Sequence, residues 1–464
     1  MLYQLLRGTA AIALRWYYSD VAVQGQERVP RDGPLLIVAN HPNAMIDPLL
    51  VGTAVPRRVL PTAKATLFER PALGWLLRAV GVVPLRRAKD EARETATLPV
   101  APDRNAQAFA LVTVALRARH VVLVFPEGIS HDDPMLAPLK SGAARMALQA
   151  HGEGVAGLRL LPIGLVFEEK ERPGSRVLVR IGEVLDLDAW LATHAHEPHE
   201  LTEALEARLR AVTLNFASSE RAARAVRLAR VLVSLAGSPP SIGEPPSFDA
   251  EAATALRIDA AVGALADAPP GVTAAADALA SRLDEIDHGL RQRGIHLADV
   301  RISTRFPDAV AFVAREGPLA LLAGLAILLG WATHWIPLRA ARAVAMRSLL
   351  HDSSRDQPAM RTILFGLLAV VLWYVAQFVV LANLAGPLVA IGWLGVTFAA
   401  VHALRLRGGR LRRALRRARS FLALRADSSL QPRLVAAVDA LLEDARVLEC
   451  ALLESRVRVA ERHG

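Results

Sequence analysis

The chain has 464 residues, with 55 Lys and Arg against 45 Asp and Glu for a net charge of +10, and a mean hydropathy of +0.29. The length provides for two or three domains, and the basic, apolar balance points to a membrane with anionic lipids rather than to a freely soluble enzyme. A single cysteine, Cys450, excludes an internal disulfide and a cysteine-based metal cluster. Its arginine-rich tract adjoins apolar spans rather than aromatic-studded strands, which argues against nucleic acid as a partner.

Met1 to Trp16 is apolar but interrupted by Arg7 and Arg15, and no small-residue cleavage site follows. Residues 1–19 are therefore expected as an interfacial amphipathic helix, with Tyr17 and Tyr18 near the headgroups, rather than as a signal peptide. A packed first helix is the alternative. From 20 to 195 short apolar runs alternate with helical stretches. The expected strands are Leu35–Ala39, Arg58–Pro61, Val82–Leu85, Val121–Phe125, Leu160–Phe167 and Arg176–Ile181, and the helices 47–54, 70–79, 105–118 and 139–151. Strands alternating with helices predict an α/β domain with one central sheet.

Residues 196–312 are rich in Ala, Leu, Arg and Glu with helical periodicity, predicting helices near 200–236, 250–265 and 272–296. A Pro-rich linker, Ser238-Pro239-Pro240 to Pro245-Pro246, interrupts them. Uncharged apolar segments follow within 313–404. Residues 317–337 match one bilayer of helix, and 363–404 is long enough for two, 363–383 and 386–404, turning between Asn383 and Pro387. Arg339, Arg342, Arg347, Arg355 and Arg361 precede the long segment, and a denser group from Arg405 to Arg419 follows it. Both flanks favour the cytoplasmic side, so 363–404 reads as a hairpin that enters and returns. A cytoplasmic first domain then requires 317–337 to dip in and come back. Residues 405–464 form a basic stretch and a last helix near 430–461.

Four sets of residues carry chemistry. Asn40-His41-Pro42-Asn43-Ala44-Met45-Ile46-Asp47 follows the first strong strand. There a His can take a proton from a hydroxyl, and an Asp can fix its tautomer. Gly81-Val82-Val83-Pro84-Leu85-Arg86-Arg87 ends in guanidinium forks suited to phosphate. Phe125-Pro126-Glu127-Gly128-Ile129-Ser130-His131 follows another strand; Gly128 lets backbone approach a ligand, Glu127 can bond hydroxyls, and Ser130 or His131 can line the same mouth. Downstream, Lys140 in Leu139-Lys140-Ser141-Gly142 can assist a phosphate, and Leu161-Pro162-Ile163-Gly164 reads mainly as core.

Taken in order, these motifs resemble the glycerolipid acyltransferase superfamily, over roughly the first 190 residues. Within it they are most similar to the branch that includes fungal-type glycerol-3-phosphate acyltransferases. The resemblance implies a central mixed sheet flanked by helices, with membrane helices after the catalytic domain. Two departures stand out: His41 and Asp47 enclose five residues rather than four, and Ile129-Ser130 replaces the common Thr-Arg. The expected reaction is acyl transfer from acyl-CoA or acyl carrier protein to a hydroxyl of glycerol 3-phosphate or a lysophospholipid. His41 and Asp47 are then the catalytic pair, with Arg86, Arg87, Glu127, Gly128 and Lys140 on the acceptor, and amides near the start of the following helix as oxyanion donors. No metal or bound cofactor is required, and the expected location is the cytoplasmic (inner) membrane, catalytic domain inward. Two rival readings are a metal-dependent phosphoesterase using His41, Asp47, His131, Asp132 and Asp133, and a non-catalytic membrane lipid-binding protein.

Overall fold

The apolar runs become strands of a single sheet: β1 (Asp20–Gln24), β2 (Leu35–Ala39), β3 (Val59–Lys64), β4 (Val83–Leu85), β5 (Val121–Val124), β6 (Arg159–Phe167), β7 (Arg176–Ile181) and β8 (Leu185–Asp186). The computed structural model describes residues 1–69, 71–85, 104–131, 133, 135–216, 218–236, 248–264, 270–349 and 358–463. The Pro-rich linker lies outside them. Strand order is β1-β7-β6-β2-β5-β3-β4, with β8 paired to β6. The five strands β6, β2, β5, β3 and β4 run parallel; β7 is antiparallel to β6 and carries β1 parallel beside it. The sheet is mixed, as the motifs imply.

Helices α1 (Leu2–Tyr17), α2 (Ile46–Ala54), α3 (Pro71–Val80), α4 (Arg104–Arg117), α5 (Gly142–Gly152), α6 (Leu187–Leu191) and α7 (Pro198–Arg210) accompany the sheet. Alternate residues of each strand supply two cores. Leu36, Val38, Val122 and Val124 pack with Leu116 of α4, Ala147 of α5 and Leu205 of α7. Leu35, Ile37, Val121 and Leu123 pack with Leu14 of α1 and Leu50 of α2. Burial on both faces is why β2 and β5 are unbroken apolar runs. Close packing also explains Gly164 of β6, where a Cβ would lie 2.1 Å from the Val212 carbonyl oxygen. Gly164→Ala is expected to cost about 3 kcal/mol of stability, read as a lowered melting temperature.

Tyr17 and Tyr18 are not at an exposed face: they are 6% and 1% exposed. Their hydroxyls donate to Glu171 O at 2.7 Å and Lys170 O at 3.0 Å, because a buried phenol needs a partner. Leu5, Ile12 and Trp16 of the same helix are exposed. Arg7 interrupts the apolar run for a local reason, donating to Thr53 O and Val55 O at the end of α2.

Two compact units emerge: Met1–Ser218 with Val344–Phe365, and Ser219–Ala343 with Gly366–Gly464. Further helices are α8 (Ser219–Ala236), α9 (Phe248–Ala264), α10 (Pro270–Gln292), α11 (Phe306–Leu349), α12 (Pro358–Ala385), α13 (Pro387–Ala426) and α14 (Leu430–His463). The stretch expected as one helix over 200–236 is two, α7 and α8. Asn215 closes the end of α7, its side chain donating to Arg210 O and Thr213 O. In the second unit, Leu283 and Ile286 of α10 pack with Val438 and Leu441 of α14.

The long apolar segment is divided at Gly386, whose φ of 90° ends α12 before Pro387 opens α13. Among the described residues, Met360–Ala385 is the one helix long and apolar enough to cross a membrane. Phe306–Leu321 and Ala323–Arg347 meet that test only together, across a 41° bend, and the apolar helix Pro387–Ala403 is shorter. Part of the basic run on α13 is neutralised within its own unit. Arg410 clasps Glu316 at 2.9 and 3.0 Å, and Arg416 and Arg417 lie 3.3 and 3.5 Å from the buried Asp299.

Candidate active site

Parallel pairing brings the site together. Val38 of β2 lies opposite Val124 of β5, so the loops following both strands leave the same edge of the sheet, where open α/β sheets place their ligands. Asn40 fastens the first loop to β6, donating to Leu165 O at 3.1 Å and accepting from Leu165 N at 2.7 Å. His41 comes next, its ring stacked on Phe125 with centroids 3.9 Å apart. Asp47, in the first turn of α2, reaches back so that its Oδ2 accepts from His41 Nδ1 at 2.9 Å and from Asn43 N at 2.7 Å. The five-residue spacer is accommodated in the loop, where Ala44 takes a φ of 37°, the left-handed conformation that costs a non-glycine residue some strain.

The Asp47 contact assigns the proton of His41 to Nδ1 and leaves the Nε2 lone pair outward, with no partner among the described residues. The ring is 11% exposed and Asp47 fully buried. Burial pushes the Asp47 carboxyl above the usual range, opposed by the His41 contact, the Asn43 amide and the charge of Lys170. A raised folded-state pKa means that the contribution of this group to stability is present below the ordinary carboxylate range. It is lost as pH rises through the folded value. Asp47→Asn should therefore gain melting temperature relative to the wild type as pH rises through and above the ordinary carboxylate range, as thermal unfolding across pH would show.

Glu127 does not face outward as the sequence suggests. Its side chain is 1% exposed, and its oxygens accept from His41 N at 2.7 Å, Ala137 N at 2.9 Å and the ring Nε2 of His131. A buried carboxylate holding these three donors braces the His41 loop against the loop after β5. His131 accepts from Asp133 N through Nδ1, which places its own proton on Nε2, towards Glu127. Ser130 Oγ accepts from Ala44 N at 3.1 Å, linking the two loops a second time.

Gly128 has a φ of 70°, and a Cβ there would meet Lys140 Nζ at 2.7 Å. The exposed Lys140 thus lies across the bare face of Gly128, as close approach at this turn requires. Arg86, Arg87 and Asp132 lie outside the described residues. The amides of His41, Asn43, Ala44 and Ile46 are all bonded internally, which removes these four from the expected oxyanion donors near the start of α2. Among the described residues, no group of three His, Cys, Asp or Glu side chains is placed to hold a metal ion. Sequence reading assigns no role in the site to Tyr18, Asn43 or Lys170, which are tied to one another beside His41. Asn43 Nδ2 donates to the Tyr18 hydroxyl at 3.1 Å and to Lys170 O at 3.3 Å.

A His–Asp pair at the end of a parallel strand, braced by the loop of the next strand, is an arrangement for moving a proton to or from a hydroxyl. Residues 20–166 match the family model described as acyltransferase. An uncharacterized acyltransferase of Schizosaccharomyces pombe is 26% identical over 38% of this chain and 38% of its own length. A chloroplastic 1-acyl-sn-glycerol-3-phosphate acyltransferase of Brassica napus is 27% identical, covering 38% of this chain and 45% of that protein. Glycerol-3-phosphate O-acyltransferase 2 of Saccharomyces cerevisiae is 35% identical, over 18% of this chain and 11% of that protein. The chain therefore spans less than half the length of these relatives. Residues 20–166 thus carry an acyltransferase domain, similar to those of proteins that acylate glycerol 3-phosphate and 1-acyl-sn-glycerol 3-phosphate.

Proposed function

We infer that the chain is a membrane-bound O-acyltransferase of phospholipid synthesis, moving a fatty acyl group from acyl-CoA or acyl carrier protein to a hydroxyl of glycerol 3-phosphate or a lysophospholipid. The observation that carries this reading is the open Nε2 of His41, opposite the 2.9 Å bond from Nδ1 to Asp47. His41 Nε2 removes the hydroxyl proton as the oxygen attacks the thioester carbonyl, and Asp47 stabilises the imidazolium. Collapse of the tetrahedral intermediate expels the thiolate, which takes the proton back from Nε2. No side chain of this protein is acylated. Arg86, Arg87 and Lys140 hold the acceptor phosphate, Gly128 lets the backbone approach its glycerol, and Glu127 holds His41 in place. The apolar α12 and its neighbours anchor the protein in the cytoplasmic membrane with the site inward, and the exposed Leu5, Ile12 and Trp16 of α1 suit contact with a lipid surface.

Acceptor pairs that differ only in phosphate test this assignment. Glycerol 3-phosphate and lysophosphatidate should be acylated at least about 10-fold faster than glycerol and monoacylglycerol. Equal rates would remove the phosphate role of Arg86, Arg87 and Lys140.

A further inference from the structure

The turn between β6 and β7, residues 168–175, contains none of the family motifs, yet it is tied down from several sides. Besides the two tyrosine hydroxyls, Gly174 N donates to Tyr17 O at 2.6 Å and Ser175 Oγ to Glu169 O at 2.6 Å. Arg176 holds Glu168 through two nitrogens at 3.1 and 3.0 Å. A turn fixed this way defines where the Lys170 side chain begins. From there the ammonium crosses to the site: Nζ donates to Pro42 O at 2.5 Å and to His131 O at 3.4 Å. Pro42 directly follows His41, and His131 closes the loop that carries Glu127.

We propose that Lys170 is a positioning residue for acyl transfer, its ammonium clamping the His41 loop against the Glu127–His131 loop and balancing the charge of the buried Asp47. The proposal rests on His41 being the base. The charged and titratable groups around the pair come from each neighbouring element. His41 belongs to the loop after β2, Tyr18 follows α1, Glu127 and His131 lie in the loop after β5, and Lys170 comes from the β6–β7 turn. Lys170 is a fixed cation whose field opposes the effect of burial on Asp47. Removing a positive charge beside a His–Asp pair raises the proton affinity of the pair. The acid limb of kcat/KM then moves to higher pH.

The test compares K170M, K170Q and K170R with the wild type, beside His41→Ala, in full-length protein in membranes. K170M should lower kcat by about 10- to 100-fold, the cost of a loosened catalytic geometry, with KM changed less than about 3-fold. Its acid limb should shift upward. K170Q keeps a donor but no charge, so it should show the same shift with a smaller loss of kcat, while K170R should restore the limb. K170Q carries the test alone if K170M does not accumulate. A K170Q acid limb that coincides with the wild type, in a background where His41→Ala is inactive, overturns the proposal. Activity surviving in His41→Ala overturns the underlying assignment of the base instead.

Discussion

His41→Ala is expected to lower kcat/KM for acyl transfer by about a thousand-fold or more, at the upper end of what a positioned general base supplies. The size follows from the geometry, because Nε2 belongs to a ring already oriented by a buried carboxylate. Truncation has a second effect. It leaves Asp47 Oδ2 accepting from the Asn43 amide alone, with a cost of about 1–3 kcal/mol for a buried polar group that loses a partner. His41→Asn separates the two, since its amide can still donate to Asp47 but cannot act as a base. It should recover most of the lost melting temperature and none of the activity. Rate and thermal unfolding measured on both variants check this.

Glu127→Gln has the next largest expected effect. The carboxylate accepts from two backbone amides and the His131 ring. A Gln side chain offers one oxygen and one NH2 in the same space, so at least one donor then faces another donor. The cost is about 2–3 kcal/mol in stability, and the released His41 loop should reduce kcat about 100-fold. KM for the acceptor should stay near the wild-type value, because this carboxylate does not face the mouth. A kcat unchanged with KM raised would instead return Glu127 to the acceptor-binding role that its motif suggests.

The legible parts of this protein are those in which local sequence and tertiary environment agree. Strands β2, β5 and β6 are apolar on both faces because helices cover both, so their runs announce themselves. Edge strand β1 and the two-residue β8 lack such runs, and the end of α7 is closed by side-chain bonds of Asn215 that composition does not reveal. In the site, His41 and Asp47 are close in sequence and their pairing is local. The inward turn of Glu127 depends on an amide 86 positions away, and the reach of Lys170 on a carbonyl 128 positions away. Neither partner offers a side chain to read, since both are main-chain groups. The tyrosines at 17 and 18 mislead for a related reason: an amphipathic ring suits an interface and a hydrogen-bonded interior equally well.

The most direct measurement is a rapid-quench time course with labelled acyl thioester and either glycerol 3-phosphate or lysophosphatidate on the wild-type protein. Label should pass from thioester to the ester product without a protein-bound acyl species, with both the consumption and the appearance lost in His41→Ala. Label accumulating on the protein before the ester forms, or thioester consumed with no ester on either acceptor, would contradict direct transfer by a His41 base.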